Sequence, residues 1–316
     1  MIVVTGAAGF VGCNIIQGLN KRGITNILAV DDLTDGHKFK NLVVCDYADY
    51  MDYEDFLTHI NTNTAFIEPI EVIFHEGACS ATTEWNGRYL MKNNYHYSKQ
   101  LLHYCLDRRI PFLYASSAAV YGDTNDFNDD DWNQQPLNVY GYSKWQFDQY
   151  VRPYLESTES QIVGFRYFNV YGPHEQHKGS MASVAFHLMN QLRDTGSVKL
   201  FEGSHGYEAG EQQRDFVFID DVVAVNLWFF DHPDKRGIFN LGTGDARSFN
   251  VIAHTLLKLQ GSGQLDYVAF PEHLKNAYQA YTKANISSLR QVGYSADFTT
   301  LEKGVAIYYD WYRKHF

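Results

Sequence analysis

The stretch Val3-Val4-Thr5-Gly6-Ala7-Ala8-Gly9-Phe10-Val11-Gly12 decides the fold. A short apolar run enters the glycines and a helical run, Val11–Lys21, leaves them, so the segment reads as strand, turn and helix. Each glycine has its own role. Gly6 permits the tight turn, Gly9 lets backbone approach a pyrophosphate, and Gly12 lets the helix pack on the strand. The helix start, with Phe10 and Val11, then offers unpaired N–H groups and the positive end of its dipole to the phosphates. Asp31 ends the next apolar run, 19 residues past Gly12. A carboxylate there suits the ribose hydroxyls of an adenosine. Glycine spacing alone is weak evidence; its place between the first strand and a helix, with an acid at this distance, makes it strong.

Outward from this loop, short apolar runs alternate with helical ones. Ile27–Val30, Val72–His75, Phe112–Ser116 and Ile162–Tyr167 read as strands, and Asn93–Arg108 and Tyr142–Tyr154 as helices. Such alternation predicts α/β architecture, a Rossmann-type doubly wound parallel sheet covered on both faces. Past Tyr171 the pattern loosens. Helices are expected at Ser180–Leu192, Val222–Phe230, Val251–Leu259 and Leu301–Trp311, and strands at Val198–Glu202, Phe216–Ile219 and Ile238–Leu241. The expected division is a dinucleotide-binding domain over 1–170 and a smaller C-terminal α/β substrate lobe over 171–316, with segments at about 215–250 crossing back to the main sheet. Asp129-Asp130-Asp131 reads as a solvated loop.

Composition narrows the function. Net charge is −11, which argues against nucleic acid or an anionic membrane as partner. Four cysteines, at 13, 45, 79 and 105, match no metal template, so no metal site is expected and a reducing cytoplasm is the natural setting. The first strand begins at Ile2, so no leader is expected. No run approaches the roughly 18 apolar residues of a membrane span.

A second motif carries chemistry. Tyr140-Gly141-Tyr142-Ser143-Lys144 places Tyr and Lys one helical turn apart on one face. An ammonium there is expected to lower the phenol's pKa, so that the phenolate takes a proton from a sugar hydroxyl while hydride leaves for a nicotinamide. About 23 residues earlier, Ser116-Ser117-Ala118-Ala119-Val120-Tyr121-Gly122 ends a strand. Ser116, facing the other way, is expected to cap backbone. The glycine spacing, these two motifs and His75-Glu76-Gly77-Ala78-Cys79 together resemble the extended short-chain dehydrogenase/reductases. That resemblance implies that Ser117 donates to the reacting oxygen beside Tyr140, that Lys144 also holds the nicotinamide ribose, and that Glu76, Gly77, Ala78, Cys79 and Ser80 lie along the dinucleotide.

The likeness sharpens in His75–Trp85, in Val163-Gly164-Phe165-Arg166-Tyr167-Phe168-Asn169-Val170-Tyr171-Gly172-Pro173, and above all in His177-Lys178-Gly179-Ser180-Met181-Ala182-Ser183. These resemble the ADP-L-glycero-D-manno-heptose 6-epimerases, nucleotide-sugar enzymes of lipopolysaccharide precursor synthesis. The resemblance runs from Met1 to near the C-terminus. It implies inversion at C6″ of the heptose by oxidation to a ketone and re-reduction on the opposite face, with one NAD(P) per subunit tightly retained. Two faces call for two proton-transfer groups, Tyr140 and Lys178. The resemblance also implies cofactor contacts at Asp32, Lys38, Asn93, Val170 and Lys178. Substrate contacts follow at Ser117, Asn169, Ser180, His187, Phe201, Glu202, Gly203, Ser204, Arg214 and Tyr278, and a homopentamer is implied. Arg214 suits the diphosphate, since guanidinium binds phosphate oxygens as a fork.

Two features depart from that pattern. NADP is the cofactor the resemblance implies, yet Asp32 would repel a 2′-phosphate and Tyr53 stands where relatives carry Lys, so NAD stays open. The segment 205–213 is long, and reads as a lid or a tolerated surface insertion. A UDP-hexose 4-epimerase would share Ser117, Tyr140 and Lys144, and differs at Lys178 and its sequel. A sugar 4,6-dehydratase lacks support, because Ala118-Ala119 offers no acid for elimination. A non-catalytic NAD(P)-binding sensor would have no use for the three catalytic-type residues together.

Overall fold

A computed structural model describes residues 1–129, 134–271 and 279–316. Seven parallel strands form the central sheet: β1 (Ile2–Thr5), β2 (Ile27–Asp31), β3 (Asp49–Asp52), β4 (Val72–His75), β5 (Phe112–Ser117), β6 (Ile162–Tyr167) and β10 (Gly237–Leu241). Their order is β10-β6-β5-β4-β1-β2-β3, so the chain winds outward both ways from β1. Three short strands, β7 (Asn169–Tyr171), β9 (Gln213–Phe218) and β11 (Ala246–Ser248), make a second sheet, and β8 (Ser197–Phe201) pairs with β12 (Gln264–Val268) in a third.

The helices are α1 (Phe10–Lys21), α2 (Phe39–Leu42), α3 (Tyr53–Thr62), α4 (Gly87–Leu90), α5 (Tyr97–Arg108), α6 (Val139–Ser157), α7 (Val184–Thr195), α8 (Ile219–Asp231), α9 (Phe249–Gln260), α10 (Ser287–Gln291) and α11 (Leu301–His315). Burial on both faces explains the unbroken apolar character of the inner strands. Successive residues serve opposite layers: Ile2 and Val4 join the core beneath α1 and α8, whereas Val3 and Ile73 join the core beneath α3, α5 and α6. On α1, a Cβ at Gly18 would lie 2.5 Å from Val223 Cγ1 of α8, so this glycine lets the two helices approach closely.

The strands and helices expected in the first half are present to within a few residues; β3, α3 and the one-turn helices α2 and α4 are additions. The pair β3 and α3 escaped the pattern because Asp49-Tyr50-Met51-Asp52 is a half-exposed edge strand without an apolar run. The helix expected from Asn93 begins as a π-helical turn, Met91–His96, and becomes regular only at Tyr97. The helix expected from Ser180 starts at Val184, capped by Ser183, because Gln176–Met181 forms a separate 3-10 segment broken at Gly179 (φ 54°). Asp129 is not solvated. It is buried, and accepts from Ser288 Oγ at 2.7 Å and from the Asn240 amide at 3.3 Å; Asp130 and Asp131 lie outside the described residues. Among the described residues no helix is long and apolar enough to cross a membrane.

Candidate active site

The carboxyl ends of β1, β2, β4, β5 and β6 carry Thr5, Asp31, His75, Ser117 and Tyr167, so the sheet delivers the motif residues to one edge. At the phosphate loop, Gly6 adopts φ 67°, and a Cβ on it would lie 2.7 Å from the Glu76 carbonyl carbon. A Cβ on Gly12 would meet the Gly6 carbonyl oxygen at 2.2 Å. Both positions therefore require glycine. The first turn of α1 has neither a side-chain cap nor an acidic residue, which leaves its N–H groups and dipole to an anion. These features fit a dinucleotide's pyrophosphate.

Asp31 is buried and already engaged. Its Oδ2 accepts from the Ala8 amide at 2.8 Å, and its Oδ1 from Lys38 Nζ at 2.5 Å and the Asp32 amide at 2.7 Å. The carboxylate thus ties the phosphate loop, through the Ala8 amide, to Lys38. Asp32 has its pKa lowered, first by the hydrogen bond from Thr34, and stays ionised beside Lys38.

The loop after β4 is held by Thr5 and His75 of the quoted motifs and by Asn94, which no motif singles out. The Gly77 amide donates to Thr5 Oγ1 at 3.1 Å, and Thr5 Oγ1 lies 2.7 Å from His75 Nδ1. Asn94 clamps Cys79 from both sides, its Oδ1 accepting from the Cys79 amide at 2.8 Å and its Nδ2 donating to the Cys79 carbonyl at 3.0 Å. The neighbouring Asn93 instead donates to the Tyr89 carbonyl at 2.9 Å within its own helix. Glu76 accepts from the Tyr167 hydroxyl at 3.0 Å; burial pushes its pKa to about 7, against the pull of Tyr167 and of Lys144.

Helix α6 meets β5 at three successive turns. Tyr140 is set beside the Ser117 side chain, which works to lower its pKa, Lys144 Nζ donates to the Ala115 carbonyl at 2.7 Å, and Asp148 accepts from Tyr114 at 3.0 Å and from Ser116 Oγ at 2.9 Å. Ser116 therefore caps no backbone, contrary to expectation; it joins helix to strand. Arg166 of β6 completes this contact, its Nε donating to Asp148 Oδ2 at 2.9 Å with both side chains wholly buried. The phenol of Tyr140 also differs from expectation. Its pKa is raised, because burial outweighs the effect of Ser117, and the Lys144 ammonium is turned to Ala115. Burial lowers Lys144 to about 8, opposed by Glu76 and Asp148.

Lys178 sits on the 3-10 segment before α7, with its Nζ 5.3 Å from the centre of the Phe10 ring at the head of α1. Burial lowers its pKa, Glu175 opposing. The segment is tied to the phosphate-loop side by Asn41, whose Nδ2 donates to the Ala8 and His174 carbonyls, each at 3.0 Å. Elsewhere, Asn169 is exposed at the start of β7, with Val170 half-buried next to it. Ser180 is exposed on the same segment as Lys178, and His187 is half-buried on α7. Phe201–Ser204 ends β8, and Gln212 Nε2 binds both the Glu202 carbonyl and Ser204 Oγ. Arg214 is buried, its guanidinium 5.6 Å from the Phe249 ring. Tyr278 lies outside the described residues. The long segment before β9 is anchored by Asn250, whose amide donates to the Gly210 carbonyl at 3.1 Å and whose Nδ2 donates to the Ala209 carbonyl at 2.9 Å.

The model of the NAD dependent epimerase/dehydratase family matches residues 2–242. The chain belongs to that family. A curated relative from Alkalilimnicola ehrlichii, an ADP-L-glycero-D-manno-heptose-6-epimerase, is 55% identical over 310 residues, 98% of this chain and 97% of its own. The crystal structure of a Helicobacter pylori ADP-L-glycero-D-manno-heptose-6-epimerase is 31% identical with a TM-score of 0.85, over 99% of this chain and 96% of that one. A Thermus thermophilus UDP-glucose 4-epimerase, solved with NAD, matches at TM-score 0.82 and 22% identity over 100% and 99%, a likeness of fold. The family match covers both the phosphate loop and the edge that carries Ser117, Tyr140 and Lys144. Sequence reasoning gave no role to Asn94, Asp148, Arg166 or Glu175; the first three bond motif residues of other elements, and Glu175 closes the turn that carries Lys178. Their one sequence signal is polarity at positions that helix and strand periodicity would bury, as with Asp148 one turn beyond Lys144.

Proposed function

We propose that this epimerase interconverts ADP-D-glycero- and ADP-L-glycero-D-manno-heptose, using a bound nicotinamide dinucleotide. The dinucleotide, when bound, accepts hydride from C6″ and returns it. The phosphate loop with Gly6, Gly9 and Gly12 would hold the pyrophosphate, Asp31, Asp32 and Lys38 the adenosine ribose, and Glu76–Ser80 and Lys144 the nicotinamide half. On one face Tyr140 would take the hydroxyl proton, aided by Ser117; on the other Lys178 would return or remove one. Arg214 would grip the substrate diphosphate, with Asn169, Ser180, His187 and Phe201–Ser204 around the sugar and adenine.

The observation that carries this reading is Lys178: a second lysine whose burial lowers its pKa, on a segment tied to the phosphate loop, in addition to the Tyr140 and Lys144 pair. One acid/base group serves a simple oxidation, whereas inversion through a ketone is served by two, one per face. The 55% identity with the Alkalilimnicola ehrlichii enzyme supports the heptose as the sugar. Tyr140→Phe and Lys178→Met, assayed separately, are each expected to lower kcat by about 10²–10⁴, the usual contribution of a general acid or base. Full turnover in either variant would remove that residue from the mechanism. Lys38 as cation and Asp32 as anion bear on NADP against NAD, and we read NADP as the resident cofactor with NAD accepted. A homo-oligomer, a pentamer by resemblance, completes the reading.

A further inference from the structure

The segment carrying Lys178 is built around a second charge. Glu175, three residues earlier, is wholly buried and lies at the start of the 3-10 segment. Among the described residues its carboxylate meets donors: Ser183 Oγ at 2.6 Å and the Gly172 amide at 3.4 Å on Oε1, and the Ser183 amide on Oε2. The Tyr308 phenol of α11 is buried in the same surroundings, and Glu175 is one of the groups that raise its pKa. Burial raises the pKa of Glu175, and the Ser183 and Gly172 bonds and the charge of Lys178 oppose that rise. A group met by donors acts as an acceptor, the condition that favours a carboxylate over the acid. Its own carbonyl accepts from the Lys178 amide at 3.0 Å, closing the turn. Ser183, in turn, caps α7 through the Phe186 amide at 3.3 Å. Glu175 therefore joins β7's exit, the Lys178 turn and the start of α7.

The turn is also held under strain. His174, immediately before Glu175, adopts φ 76°, a left-handed conformation that a side chain makes costly. Asn14 fixes the Pro173 carbonyl at 3.1 Å, Asn41 fixes that of His174, and Gln176 Nε2 donates to Asn41 Oδ1 at 3.1 Å. Such strain persists only where surrounding bonds over-determine the backbone. The groups around the Lys178 ammonium are the Phe10 ring on α1 and, on its own segment, Glu175 and His177; Lys38 and Asp31 reach His177 from the adenosine side.

We infer that Glu175 is a positioning residue for the reaction: a buried carboxylate that fixes the turn carrying Lys178 and supplies the negative charge opposing that ammonium's burial. The inference rests on the reading of Lys178 as the second proton-transfer group. Removing the charge leaves the ammonium less favoured, so the pH limb belonging to Lys178 moves to lower pH.

The test is the pH dependence of kcat and kcat/KM for heptose epimerisation, using holoenzyme of wild type, Glu175→Gln, Glu175→Asp and Ser183→Ala. In Glu175→Gln the limb is expected to move acid by about one pH unit or more, the effect of a close opposite charge. Its kcat should fall by about 10² with KM little changed, as for a misplaced reactive group. Ser183→Ala removes a bond to Glu175 but keeps its charge, and should leave the limb in place. A limb unmoved in Glu175→Gln, or moved equally in Ser183→Ala, overturns the inference. If the glutamine variant does not fold, Glu175→Asp decides: reduced kcat with the wild-type limb supports the inference, and unchanged kcat overturns it. Lys178→Met separates the two readings. Full turnover in it removes Lys178 itself, whereas an inactive Lys178→Met beside an unmoved limb in Glu175→Gln removes only the role of Glu175.

Discussion

Two adjacent carboxylates, Asp31 and Asp32, share the Lys38 ammonium. Asp31 is spent on the Ala8 amide and on Lys38, which, in the proposed reading, leaves Asp32 as the negative charge facing a 2′-phosphate. Asp32→Asn should therefore shift preference towards NADP over NAD by about fivefold, since two unit charges about 4 Å apart in water interact by about 1 kcal/mol. Competition binding of the two nucleotides measures it. Glu76 gives a pH prediction of definite sign. Its folded pKa of about 7 exceeds the ordinary 4.5, so the folded state holds the extra proton between those values. Stability is then greatest below about pH 4.5 with respect to this group, falls as pH rises through about 7, and stays reduced above. Glu76→Gln should raise Tm by about 3 °C or more at pH 8, with little effect at pH 4.5, by scanning calorimetry. Ser117, Tyr140, Lys144 and Lys178 could be singled out as candidates because each sits in a short local motif. The Tyr167 partner of Glu76, 91 residues away, was not, because only the sheet brings β6 beside the loop after β4. The raised pKa of Tyr140 was equally hidden, since the burial that decides it depends on the packed surroundings.

Among the elements, α6 and β5 form the frame that holds the proposed catalytic residues. Positions 140, 144 and 148 lie one turn apart on one face of α6, and each engages β5. The last contact sets the register of the first two, because Asp148 holds both Tyr114 and Ser116 while Arg166 neutralises it. Asp148→Leu would leave Arg166 buried and uncompensated. It should destabilise the protein by about 3–5 kcal/mol in chemical denaturation, the usual cost of removing one partner of a buried ion pair. Elements with long apolar runs were readable from sequence to within a few residues. Those that were not share a cause: β3 is an edge strand with one wet face, and the start of α7 is set by Ser183 binding Glu175, a tertiary contact with no periodic signature.

For the molecule as a whole, a doubly wound sheet carries the dinucleotide, and the segments after β6 bring Lys178 to the same edge. Because the hydride that leaves the sugar is returned to it, the reaction gives no reason to release the cofactor. NADP or NAD should therefore copurify near one equivalent per 36.3 kDa chain, read by the absorbance and identity of nucleotide released on denaturation. The most direct measurement adds ADP-D-glycero-D-manno-heptose to the purified protein with no cofactor supplied, and follows the sugar by NMR. Conversion to the L-glycero epimer with no net NAD(P)H is the expected result. An unchanged sugar, even after NADP and NAD are supplied, would contradict heptose epimerisation as the function of this chain.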